Sequence, residues 1–192
     1  MNRLIILIIL TLPGMAVCQE EQKAFTKVSL QTVGSIGIIG GETGVKPVFQ
    51  IISGLTQSRY FAGLGAGYDN YRFRSIPLFA DIRFGFGKKQ FVFAYGDLGY
   101  NLPLEPKFGN NDFQTTSIYS GGVYLDLGLG YRHRLNKKNS ILFSFGYSRK
   151  DVNHKEGTTY PCFNPPCYEE MSYYHYKLGR IVTKLSWQFN KR

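Results

Sequence analysis

The sequence predicts an all-β chain closed into an eight-stranded antiparallel up-and-down transmembrane barrel. Three observations predict it. Tyr119 to Tyr131, read two residues at a time, puts Tyr119, Val123, Leu125, Leu127, Leu129 and Tyr131 on one face and Ser120, Gly122, Tyr124, Asp126, Gly128 and Gly130 on the other. Period two is the repeat of a strand. An apolar face ended by aromatic residues, opposite a face of charges and glycines, is the pattern of a strand with lipid on one side and a polar lumen on the other. The same alternation recurs along the chain with turn signals between. Finally, 22 Gly, 15 Phe and 14 Tyr, a mean hydropathy of −0.19 and no second long apolar run fit strands and exclude helical spans.

Residues 1–18 read as a secretory signal peptide. Arg3 precedes an apolar run, Leu4 to Leu12, that is too short to cross a bilayer as a helix, and a Pro13-Gly14 break leads to the small residues Ala16 and Cys18. Acylation of Cys18 is the alternative, and Val17 argues against it, because such a cysteine normally follows Gly, Ala or Ser. Residues 19–192 carry no linker or composition shift and form one barrel domain.

The strands follow in order. The first is expected from Phe25 to Ile38 and the second from Val45 to Thr56, with the glycine-rich turn Gly40 to Gly44 between. Gln57-Ser58 leads into the third, Arg59 to Asp69, and a loop near Asn70 to Ser75 precedes the fourth, Ile76 to Phe86, where Phe79, Asp81 and Arg83 face inward. Gly87-Lys88-Lys89 turns into the fifth, Phe91 to Leu102, with Tyr95 and Asp97 inward. A polar connection from Pro103 to Ser117 precedes the sixth, already described, and Asn136 to Asn139 turns into the seventh, Ile141 to Tyr147. The longest loop, Arg149 to about Glu170, leads to a last strand ending Ile181, Thr183, Leu185, Trp187, Phe189. Connections after odd strands are expected to be long and those after even strands short, the asymmetry of surface loops and periplasmic turns.

Tyr60, Tyr68, Tyr100, Tyr119, Tyr131, Tyr147, Trp187 and Phe189 are expected as two aromatic girdles. At about 3.3 Å per residue and a tilt near 40°, the pairs Tyr60/Tyr68 and Tyr119/Tyr131 lie roughly 20 to 30 Å apart along the membrane normal. A soluble lipocalin-like barrel is the alternative, with the apolar face turned in. The aromatic-capped face, the glycines on the charged face and the Trp187–Phe189 ending favour the membrane.

The chain resembles the small outer-membrane β-barrel families of Gram-negative bacteria, the OmpA-transmembrane and OmpX type. IPLFADIRFGFG at Ile76 to Gly87, FVFAYGDLGYN at Phe91 to Asn101, GGVYLDLGLGYRHRL at Gly121 to Leu135 and KLSWQF at Lys184 to Phe189 carry the resemblance. It implies an outer-membrane, porin-like location, contact with outer-membrane lipid, and recognition of the last strand by the barrel-assembly machinery. One departure is that Asn190-Lys191-Arg192 follow the aromatic that usually ends the family's chains.

Cys162 and Cys167, in YPCFNPPCY, are expected to form a disulfide in an exported chain. Asp81, Arg83, Asp97, Asp126, Arg132, Arg180 and Lys184 are expected to form a charge network that fills the lumen, with a narrow pore as the alternative. Arg72, Arg74, Lys107, Arg149, Lys150 and Lys155 are loop cations suited to lipopolysaccharide phosphates. A net charge of +10 is dispersed over turns, loops and strands, which argues against nucleic acid as a partner. No cofactor or metal is expected. The expected role is non-enzymatic, acting through the extracellular loops in surface interaction or envelope integrity. The alternative is an enzyme acting on lipid A or phospholipid, built on His175 with Ser172 and Glu169 or Glu170; His133 and His154 are the other histidines.

Overall fold

A computed structural model describes residues 28–42, 44–104, 109–110, 115–159 and 169–191. The strands are β1 (Ser29–Gly41), β2 (Gly44–Gln57), β3 (Tyr60–Asp69), β4 (Ser75–Phe86), β5 (Val92–Pro103), β6 (Gly109–Asn110), β7 (Thr115–Ser120), β8 (Gly122–Arg134), β9 (Asn139–Thr159) and β10 (Glu169–Lys191). All neighbours are antiparallel. β1 pairs with both β2 and β10, which closes β1–β5 and β8–β10 into an eight-stranded barrel. Closure leaves no open edge within the staves.

The two faces sort as the period of two requires. Leu64 is 74% exposed and Ile82 63%, while Asp81, Asp97 and Asp126 are 0% exposed inside. That order is inverted relative to a protein whose outer surface meets water, and it is the order a lipid-facing barrel needs. It also excludes the lipocalin-like alternative. Tyr60, Tyr131, Trp187 and Phe189 are exposed near the end formed by the turns at residues 58–59, 87–91 and 135–138, here the turn end. Tyr68, Tyr100 and Tyr147 lie toward the opposite, loop end.

Four expectations are corrected. First, β1 and β2 meet in a tight hairpin, Gly41 opposite Gly44, so this odd-to-even connection is short. Second, β9 and β10 are far longer than expected: their pairing runs without interruption from Asn139/Phe189 to Thr159/Glu169 and turns most of the expected loop into strand.

Third, Tyr119 is not a girdle residue. Ser120 pairs with Asn153 and Tyr124 with Lys150, so β7–β8 carries one more residue than β9 across this step, a β-bulge at Gly121. An extra residue reverses the alternation. Tyr119 pairs with His154, and its ring stacks on His154, which shares the inward parity of Lys150 and Ser148. Fourth, Lys150 is a lumen residue.

Candidate functional site

The lumen is packed in layers. Nearest the turn end, Val33, Ile52, Phe61, Phe93 and Leu142 form an apolar layer continuous with Phe79, Tyr95 and Tyr124. The lumen-facing glycines make room for these rings: a Cβ on Gly128 would come within 2.7 Å of the Tyr95 ring, and one on Gly146 within 2.5 Å of its hydroxyl.

Above it lies a row of three carboxylates, Asp81, Asp97 and Asp126, in register across β4, β5 and β8. Arg83 holds Asp81 through Nη2 at 2.7 Å and Nε at 3.0 Å. Lys184, from the opposite wall, donates to Asp126 at 2.9 Å and to Gln50 Oε1 at 3.1 Å, and its Nζ lies 3.7 Å from Asp97. The Tyr95 and Tyr124 hydroxyls donate to Asp126 at 3.0 and 3.3 Å, and Gln50 Nε2 donates to the Tyr124 hydroxyl at 2.9 Å. Asp97 accepts no hydrogen bond from any described residue. Buried charges persist when they are paired and hydrogen-bonded, and this layer meets that condition except at Asp97.

A second charged layer lies toward the loop end. Asp69 binds Arg180 and lies 3.2 Å from Lys150 Nζ, and Arg180 also donates to Ser148 Oγ at 2.7 Å. Lys150 was expected on the loop surface; its side chain is instead 0% exposed. The strand β9 continues unbroken past Ser148, so Lys150 keeps the inward parity of Ser144 and Ser148. Lys150 Nζ also donates to the carbonyls of Tyr71 and Phe73, at 3.0 and 2.9 Å, and to Ser75 Oγ at 3.0 Å. Those carbonyls flank Arg72, whose φ of 58° lies in the left-handed region. The β3–β4 connection is thereby folded into the barrel, with Tyr71 buried among Ile39, Val48, Leu178 and Val182. The lumen is thus filled from the apolar layer to the loop end.

Over this plug, Phe73, Tyr119, His154, Tyr174 and Tyr176 form a closed circuit of ring contacts with centroids 4.3 to 6.4 Å apart. The Arg72 guanidinium covers the Tyr176 ring at 4.5 Å.

The remaining predicted residues are dispersed. Arg132 stands apart from the network, over the Phe93 ring at 5.6 Å near the turn end. Arg149 is on the outer face, bound to Asp151 at 3.1 Å, and the hydrogen bond to that carboxylate raises its pKa above the ordinary arginine value. Lys155 lies over the Tyr173 ring at 5.3 Å on the same face. Arg74 is exposed beside the plug. Lys107, Cys162, Cys167 and the signal segment lie outside the described residues. The Ser172/His175 pair does not assemble: three residues apart on one unbroken strand, they face opposite sides, and His175 instead bonds Asn153 and approaches Asp151 at 3.8 Å. Among the described residues no group of three or more His, Cys, Asp or Glu could hold a metal ion.

Two of the described lumen charges, Asp69 and Lys150, lie outside the network expected from sequence. Asp69 ends a strand and resembles a loop residue, and Lys150 follows Arg149, so the pair looked like one surface patch. Extending the period of two past Tyr147 is the signal that would have placed Lys150 inside.

No protein-family model matches the chain, and no curated protein is similar to it. Among solved structures, a de novo designed transmembrane β-barrel is similar at 9% identity and a TM-score of 0.41, covering 85% of this chain and 95% of that one. The N-terminal β-barrel domain of Pseudomonas aeruginosa OprF is similar at 13% identity and 0.40, covering 85% and 96%. The outer membrane protein AlkL is similar at 9% identity and 0.42, covering 91% and 95%.

Proposed function

We propose that the protein is a non-enzymatic integral protein of a Gram-negative outer membrane, exported by residues 1–18, with its loop end outside and its turn end in the periplasm. The filled lumen makes the barrel a rigid peg, and the work falls to what it raises above the membrane. One observation carries this reading. The last residue of β10 held by β1 is Ile181, opposite Gly40, whereas β9 and β10 stay paired to Thr159/Glu169. That is about 40 Å of further paired strand at about 3.3 Å per residue. β7 widens this projection on its other side, Thr115 opposite Thr158.

Between Met171 and Gly179, β10 has no strand partner on its second side among the described residues, and its outward face carries Tyr173, His175 and Lys177. An unpaired edge rimmed by aromatic and polar side chains suits strand addition by a surface partner. On the same face, Arg149 and Lys155 suit lipopolysaccharide phosphates. We take the assembly machinery to read β10 through Trp187 and Phe189.

The test is topological and electrical. In a chain with Cys162→Ser and Cys167→Ser, Lys155→Cys should react with a membrane-impermeant thiol reagent on intact cells and Lys138→Cys should not. The reverse pattern would invert the orientation. The purified protein in a planar bilayer should show little steady conductance, and a steady ion-selective current would overturn the filled lumen.

A further inference from the structure

The turn end of the barrel is not filled. Below the apolar layer a cavity of about 530 Å³ opens between the barrel wall and the β8–β9 turn. Its lining includes Gln31, Arg132, Arg134, Lys137, Ser140 and Gln188, and no carboxylate. On the proposed orientation it faces the periplasm.

Two features make this a built site. Gln31 and Gln188 are 2% and 3% exposed, yet Gln31 Nε2 and Gln188 Oε1 have no hydrogen-bond partner among the described residues, and neither does Arg132 Nε. A buried amide left unmatched is costly and marks a place where something else binds. The second feature is charge. The described carboxylates lie in the lumen layers above, as Asp69, Asp81, Asp97 and Asp126, or toward the loop end, as Glu42, Asp151, Glu156 and Glu170. The turn end holds Arg59, Lys88, Lys89 and Lys138 beside the cavity cations. A cleft of one sign against a low-dielectric wall concentrates the opposite sign.

We propose that this vestibule is a binding site for a phosphorylated group. Two guanidinium forks, an ammonium, the Ser140 hydroxyl and the Gln31 amide offer more donors than a single carboxylate accepts, and they suit the several oxygens of a phosphoryl group. The volume exceeds that of a bare ion and fits a phosphate ester, either a soluble solute or the headgroup of a lipid in the adjoining leaflet.

The test is titration calorimetry with glycerol 3-phosphate on the full mature chain in zwitterionic nanodiscs. Saturable binding is expected, weakened about tenfold by Arg132→Met, a loss in keeping with one charge-assisted hydrogen bond. Arg134→Gln should weaken it too, while Lys88→Gln, on a neighbouring turn outside the cavity, should leave it unchanged. Loss of binding in phosphatidylglycerol nanodiscs would support the site and name a lipid headgroup as its source; unchanged binding would support it and name a soluble ester. No saturable binding, equal loss in Lys88→Gln, or equally tight binding of succinate would overturn the proposal. Binding seen only after Glu20→Gln with Glu21→Gln would also overturn it, because the chain's own acidic segment would then be the occupant.

Discussion

Lys150 and Asp69 meet 3.2 Å apart inside the barrel, and the same ammonium holds a loop there by donating to the carbonyls of Tyr71 and Phe73. Asp69 in turn serves two cations, Lys150 and Arg180. Asp69→Ala would take this carboxylate from both buried cations and should destabilise the barrel by about 3–5 kcal/mol. Asp151→Ala, which breaks the partly exposed outer pair with Arg149, should cost about 1 kcal/mol or less. Urea unfolding from lipid vesicles, followed by the gel shift of folded against unfolded chain, measures both.

Lys150→Met keeps the length of the side chain but removes the donors that hold the β3–β4 connection. The left-handed Arg72 then loses the flanking bonds that fix it. Amide exchange across residues 70–74 should rise well above that of the wild type while β4 and β9 stay protected. Unchanged protection of these residues would mean that Tyr71 packing alone holds the plug.

The bulge at Gly121 yields a paired test. A Cβ at Gly121 would lie 1.9 Å from the Asn101 carbonyl oxygen and 2.6 Å from the Tyr100 ring, whereas one at Gly34 meets nothing within 4 Å. Gly121→Ala should therefore destabilise the barrel by about 1–3 kcal/mol, the range for overpacking. Gly34→Ala should be neutral or slightly stabilising, since it restricts the unfolded chain without strain. Equal effects in the same urea assay would remove the bulge as a constraint.

The staves were legible because lipid and lumen impose opposite chemistry on alternate residues, as in Ile82 against Asp81 and Arg83. Legibility ended where that contrast ended. Above Tyr147 both faces of β9 turn polar, so Arg149 outside and Lys150 inside look alike in sequence although one is half-exposed and the other buried. Tyr119 failed for a different reason: one extra residue at Gly121 reverses every parity beyond it, and a Gly-Gly pair in a glycine-rich strand gives no sign of which step carries the bulge. Register across strands, which brought Asp81, Asp97 and Asp126 side by side, depends on hairpin geometry that no single strand encodes.

The pairing of Thr159 with Glu169 brings the ends of the connection that contains Cys162 and Cys167 opposite each other. Non-reducing mass spectrometry of protein taken from the envelope should find these two joined. Two free thiols would refute the link. Reduction should change barrel stability by well under the effect of Asp69→Ala, because the loop enclosed is short and the chain-entropy gain grows with loop length.

Asp97 offers the sharpest test of the charge layer. Asp81 has Arg83 and Asp126 has Lys184 with two tyrosine hydroxyls, so the described cations of this layer are already engaged. Asp97 stands between two carboxylates, with Lys184 at 3.7 Å and no hydrogen bond to either oxygen. A carboxylate beside like charges in a dry lumen is disfavoured, and an amide of the same shape removes the repulsion while adding a donor toward both neighbours. Asp97→Asn should thus be neutral or stabilising by about 1 kcal/mol, the net worth of a hydrogen bond. Asp126→Ala takes from Lys184 its nearest carboxylate and from both hydroxyls their acceptor, and should cost about 3–5 kcal/mol. If Asp97→Asn instead destabilised the barrel as much as Asp126→Ala, Asp97 would be a necessary partner of Lys184, and the row of three would hold together as a single unit.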